Sequence, residues 1–105
     1  MEEYSIIPGR AFDTLRLAPV NDVVAAPALK RALLELSKAG RRIAIDAEGV
    51  ERITTPCVQV LLAARRALAS AGHELLVGPS SPAFRLAFDD LGLSEELQLW
   101  GKIDE

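Results

Sequence analysis

The chain is 105 residues long, half of them hydrophobic, with a formal net charge of -3. A chain of this size buries roughly two-thirds of its unfolded surface, enough for one core without metal or disulfide staples. The acidic balance argues against nucleic acid as the main partner, the single cysteine, Cys57, excludes an internal disulfide and fits a reducing compartment, and no apolar run approaches the roughly 18 residues of a membrane span. Met1-Glu2-Glu3-Tyr4 has neither the basic nor the apolar region of a secretory signal. The expectation is one cytoplasmic domain over residues 1–105, not inserted in a membrane.

Tyr4 to Ile7 is a weak strand candidate, with Pro8-Gly9 as a turn folding it into a hairpin. Phe12 to Leu17 alternates in its second half and predicts a half-buried strand. A helix starts near Pro27, carries Leu29, Ala32, Leu33 and Leu36 on one face and stops at Gly40. Lys30, Arg31, Glu35 and Lys38 make its solvated face. Arg31, Lys38, Arg41 and Arg42 form a basic cluster, read as charge near a helix C-terminus. Ile43-Ala44-Ile45, bounded by Arg42 and Asp46, predicts a buried central strand.

Thr54-Thr55-Pro56 then opens a long apolar helix that ends at Gly72. Thr55 is placed to be its N-cap and Pro56 its first residue. A hydroxyl there faces unpaired N–H groups and the positive end of the helix dipole, where a phosphate is tolerated. The commoner role of such a threonine is capping alone. Thr55, Gln59, Ala63, Arg66 and Ser70 share a stripe, whereas Val58, Leu61, Leu62 and Leu68 fall elsewhere and are expected to be buried. Cys57, near the helix start, is either a small core residue or a low-pKa thiol. His73 to Val77 predicts a strand, Gly78 to Pro82 a loop, and Ser81 the cap of a helix with Phe84, Ala87, Phe88 and Leu91 on one side and Gly92 at its end. Ser94-Glu95-Glu96 starts a short turn or helix, after which Trp100 either folds back onto the core, the favoured reading, or forms part of a contact surface.

Strands alternating with helices imply right-handed crossovers and a largely parallel sheet, with the N-terminal hairpin adding an antiparallel pair. His73 is expected at the surface, and a Cys57–His73 dyad has no orienting group beside it in sequence. One His and one Cys supply no tetrahedral metal site without carboxylates. Asp13, Asp22, Asp46 and Glu48 are candidates to surround one end of the sheet, with no catalytic role assigned. No cofactor is indicated.

Three stretches resemble the STAS domain of anti-sigma factor antagonists: Leu17 to Asp22 running into Ala26-Pro27-Ala28-Leu29, Ile43 to Val50, and Ile53 to Arg65. Leu91-Gly92-Leu93 fits the family's closing Gly-Leu, so the likeness spans residues 12–98. It implies an α/β domain with a mixed sheet of four or five strands and helices packed mainly on one face. It also implies a non-enzymatic bacterial regulator that docks on a histidine kinase or kinase-like ATPase. In the family's switch segment, Asp-Ser-Ser/Ala-Gly, the first Ser is phosphorylated. Those positions fall on Thr54, Thr55, Pro56 and Cys57 here, so the hydroxyl survives as threonine while the Asp and Gly do not. The resemblance makes Thr55 the candidate phosphoacceptor and Thr54, Thr55, Pro56, Gln59, Ala63 and Arg66 the partner-binding surface. The helix beginning Gln59-Val60-Leu61-Leu62-Ala63-Ala64 is also similar to STAS-like proteins encoded among chemotaxis genes. STAS subunits of lipid-transport ATPases, which dock through a hydroxyl residue near this position, are a further relative. A thiol redox sensor or small enzyme using Cys57 is the alternative from another class.

Overall fold

The computed structural model describes residues 4–102. Met1-Glu2-Glu3 and residues 103–105 of the expected 1–105 domain lie outside them. In chain order the elements are β1 (Ser5–Ile7), β2 (Phe12–Arg16), β3 (Val20–Asn21), α1 (Ala26–Lys38), β4 (Arg42–Ala47), β5 (Arg52–Ile53), α2 (Thr55–Ser70), β6 (Leu75–Ser80), α3 (Pro82–Asp90), α4 (Ser94–Gln98) and β7 (Gly101–Lys102).

The main sheet has five strands in the order β1-β2-β4-β6-β7. β1 and β2 form the expected antiparallel hairpin, and the other pairings are parallel. The Arg41 guanidinium donates to the carbonyls of Gly9 and Arg10 and lies 3.3 Å from the Asp13 carboxylate, which ties the hairpin turn down. Arg42 pairs with Glu74 at 3.0 Å across the sheet, and only Lys38 sits in the last turn of α1. Arg41 and Arg42 are therefore sheet fasteners, not the helix-end charges expected.

Leu15, Ile45 and Val77 stand side by side across three strands, and Ile43 and Leu75 across two. All are buried in one cluster with Leu29, Leu33 and Leu36 of α1, Leu61 of α2 and Phe84 and Phe88 of α3. The helices thus cover one face; β4 reads as a continuous apolar run because Ala44, on the other face, is buried as well. On the opposite face Ala44 and Leu76 are buried under their neighbours, and Arg16 bonds Asp46 at 3.1 Å from the adjacent strand.

Ser81 caps α3 as expected, accepting from Phe84 N–H at 3.1 Å. Gly72 and Gly92 adopt left-handed φ of 82° and 73°. Each closes its helix with a Schellman pair: His73 N–H to Leu68 O with Gly72 N–H to Ala69 O, and Leu93 N–H to Phe88 O with Gly92 N–H to Asp89 O.

Three further expectations change. Gly78-Pro79-Ser80 is the end of β6, not a loop. The register shifts there, so an extra residue bulges opposite β4, and a bulge tolerates the N–H-less Pro79. Leu91 is the C-cap of α3 and is largely exposed, outside the Phe84–Phe88 face. Asp13 sits where β2 begins beside β4, whereas Asp46 and Glu48 sit at the opposite end of β4, so the four acidic residues do not ring one end. Among the described residues no group of His, Cys, Asp and Glu is placed to hold a metal, and no helix is long and apolar enough to cross a membrane.

Trp100 folds back as expected. It is 2% exposed, meets Phe88 edge-on at 5.9 Å, and has the Arg65 guanidinium 5.9 Å from its ring. Arg65 also pairs with Glu96 at 2.7 Å, fixing α4 over α2.

Candidate functional site

The segment that enters α2 is held by a small parallel sheet of β3 and β5, two residues each, separate from the main one. Asn21 is its hub and is fully buried. Its Nδ2 donates to Ala18 O at 2.7 Å and Arg52 O at 3.2 Å, and its Oδ1 accepts from the Tyr4 hydroxyl at 2.7 Å. Asn21 O accepts from Thr54 N–H at 2.9 Å and faces the Thr54 hydroxyl at 3.4 Å.

These bonds decide where the helix starts. Thr54 is extended (φ -106°, ψ 170°) and is the N-cap, with its carbonyl accepting from Cys57 and Val58 N–H. Its hydroxyl turns back to Asn21 and makes no side-chain cap bond. Thr55 is therefore the first helical residue and Pro56 the second, one step earlier than the sequence implied. Thr55 is exposed, so its hydroxyl is open to solvent or to another molecule.

Gln59, Ala63, Arg66 and Ser70 are all exposed along the same side of α2. Cys57, Val58, Leu61, Leu62 and Leu68 are buried on the other. Pro56 and Thr54 are half-buried at the end of the stripe. The structure thus places Thr54, Thr55, Pro56, Gln59, Ala63 and Arg66 on one continuous surface that starts at the clamped turn.

Cys57 has 0% exposure, and its thiol donates to Asp22 O at 3.3 Å. Burial pushes the thiol pKa up, the Asp22 carboxylate adds to that, and a Tyr4 hydroxyl contact pulls the other way. The dipole-lowered thiol allowed for in the sequence does not arise, because desolvation of a thiolate outweighs one turn of helix dipole. From Cys57 the helix runs on for about 20 Å to Ser70 at 1.5 Å per residue, and His73 is exposed beyond that far end. The two do not form a dyad.

A helix capped by a sheet-pinned hydroxyl turn, set between β5 and β6 on one face of a mixed sheet, is a recognisable arrangement. The family model described as the Mlab, STAS domain matches residues 9–100. The chain belongs to the STAS domain family. Among solved STAS-like structures, an anti-sigma factor antagonist of Mycobacterium paratuberculosis superimposes with a TM-score of 0.79 at 21% identity, over 93% of this chain and 84% of that one. The unphosphorylated anti-sigma factor antagonist SpoIIAA gives 0.72 at 16% identity, over 98% and 89%. A candidate anti-sigma factor antagonist of Thermotoga maritima gives 0.77 at 12% identity, over 97% and 86%. No curated protein matches the sequence. The STAS likeness read over residues 12–98 thus holds for fold and family.

The Asn21 clamp escaped sequence reading. Asn21 stood there only as part of a family-like strand end, because nothing local to Val20-Asn21-Asp22 shows that Tyr4, Ala18, Arg52 and Thr54 converge on it. The short β3 and β5 were missed for the same reason.

Proposed function

We propose that this STAS domain is a non-enzymatic regulatory subunit that docks on a kinase-like ATPase or histidine kinase of a bacterial signalling pathway, chemotaxis included, in the cytoplasm. The observation that carries the reading is the exposed stripe Thr55-Gln59-Ala63-Arg66, beginning at a turn that Asn21 holds rigid. A rigid contact loses little conformational entropy on binding. Thr55 sits at the end of that contact as the candidate phosphoacceptor. A phosphate there adds about two negative charges to the interface and switches binding.

The test is an affinity purification from native cytoplasm followed by binding measurements with the retained kinase or ATPase. Thr55→Glu is expected to weaken binding at least about tenfold, and Gln59→Glu or Arg66→Glu several-fold, with unchanged thermal unfolding. Wild-type affinity in all three variants removes the docking surface from this face.

A second reading is a STAS subunit of a lipid-transport ATPase. It is favoured by the family model's Mlab description. Recovery of a transport ATPase in the same purification would select it. A thiol-based activity is disfavoured by the 0% exposure of Cys57.

A further inference from the structure

α1 and α2 lie side by side on the sheet, but the side chains along their seam are short. Ala63, Ala64 and Ala67 of α2 and its C-cap Ala71, with Ala26 and Ser37 of α1, leave an open groove of about 730 Å³. Leu33 and Leu68 form its buried floor, and Leu34 stands at its edge, 52% exposed. The groove follows α2 from Pro56 to His73, a run of roughly four helical turns.

Its charge is one-sided. Among the described residues lining it, Lys30 is charged and none is acidic, although the whole chain is acidic. Arg66 does not line it but is exposed on the same stripe of α2 as the lining Gln59 and Ala63, one turn beyond Ala63. Among the described residues, Lys30 and Arg66 make no ion pair or hydrogen bond, unlike Lys38, Arg41, Arg42 and Arg65. The polar groups are spread along the length instead of converging on one point, as a small-molecule site requires. An elongated, small-walled apolar channel suits a helix laid along it, and a basic rim selects acidic flanks on that helix.

We propose that the α1–α2 groove receives an acidic amphipathic helix of the docking partner, with its apolar stripe over Leu33, Leu34 and Leu68 and its carboxylates toward Lys30 and Arg66. This rests on the reading that the neighbouring Thr55–Arg66 stripe is the docking surface, and it states the chemistry of what that surface meets.

The experiment titrates the isotope-labelled full chain with a synthetic helical peptide of about 18 residues. The peptide carries Leu at i, i+3, i+4 and i+7 and Glu on both flanks; a matched peptide carries Lys in place of Glu. The Glu peptide is expected to shift the amide resonances of Leu34, Ala63 and Ala67 and to bind about tenfold tighter than the Lys peptide. Leu34→Glu and Ala67→Glu, both at exposed positions, are expected to abolish that binding without lowering thermal stability, and Lys30→Glu to reverse the peptide preference. Equal binding of the two peptides, shifts elsewhere or no binding overturns the proposal. Self-association that Leu34→Glu removes also overturns it, because the groove then seats a second copy. The native partner separates the two readings. If Leu34→Glu and Ala67→Glu retain it while Thr55→Glu loses it, the helix proposal falls and the docking surface stands. If Thr55→Glu retains it as well, the docking surface falls.

Discussion

At the scale of single residues, two buried polar groups set the properties of the site. Asn21 serves Tyr4, Ala18, Arg52 and Thr54 at once. Asn21→Ala removes the amide donor from the Ala18 and Arg52 carbonyls, and each unsatisfied buried group costs roughly 1–3 kcal/mol. The expected loss is about 2–4 kcal/mol in urea unfolding. Cys57 is the second. Its native thiol is expected to resist thiol reagents until the protein unfolds, and rapid labelling of folded protein would contradict its burial. Its raised pKa has a pH consequence. The folded state holds the thiol proton more tightly than the unfolded state. The related stability is full below the ordinary thiol value of 9.0 and is lost as pH rises through the higher folded value. The stability difference between wild type and Cys57→Ala should therefore shrink above pH 9.0, measured by denaturant titration at a series of pH values.

At the scale of the element, α2 divides its labour by side. Leu61 is fully buried and Gln59 is exposed, two residues apart on one helix. Leu61→Ala is expected to cost about 2–5 kcal/mol by removing core volume. Gln59→Glu should stay within about 0.5 kcal/mol in stability and act on binding alone. Chemical unfolding and partner titration of the two variants separate the faces. This division was legible in the sequence, because helical spacing alone sorts Leu61 from Gln59. The start of the helix was not. Propensity favours Thr55 as cap before Pro56, but the cap is set by the hydrogen bonds of Thr54 to Asn21, 33 residues away. Local rules carry no information about a partner so distant in the chain. Pro79 makes the same point for strands: it reads as a loop until the bulge against β4 removes the need for its N–H.

At the scale of the whole molecule, the C-terminal end closes the core. Trp100 packs on Phe88 and under Arg65, and β7 adds to the sheet edge beyond it. The lone tryptophan therefore reports on the assembled domain. Its fluorescence and far-UV circular dichroism are expected to give one coincident urea transition, as a single cooperative unit requires. Two separated transitions would mean that the α4–β7 end unfolds on its own. The STAS architecture follows from the alternation of strands and helices and from β4 lying buried in mid-sheet, its helix-side residues under the helices and Ala44 covered by its neighbours.

The sequence by itself determined the order of the main strands and helices, the buried and exposed sides of α1 and α2, the Ser81 cap and the burial of Trp100. These depend on periodicity, capping chemistry and hydrophobicity, which act over a few residues. Only the tertiary structure decided that Asn21 clamps the switch turn, that Thr54 and not Thr55 ends the extended segment, that Arg41 and Arg42 fasten the sheet, and that alanines on α2 leave an open channel beside α1. Each of these depends on groups 30 or so residues apart meeting in space, and their meeting is settled by the packing of the whole chain.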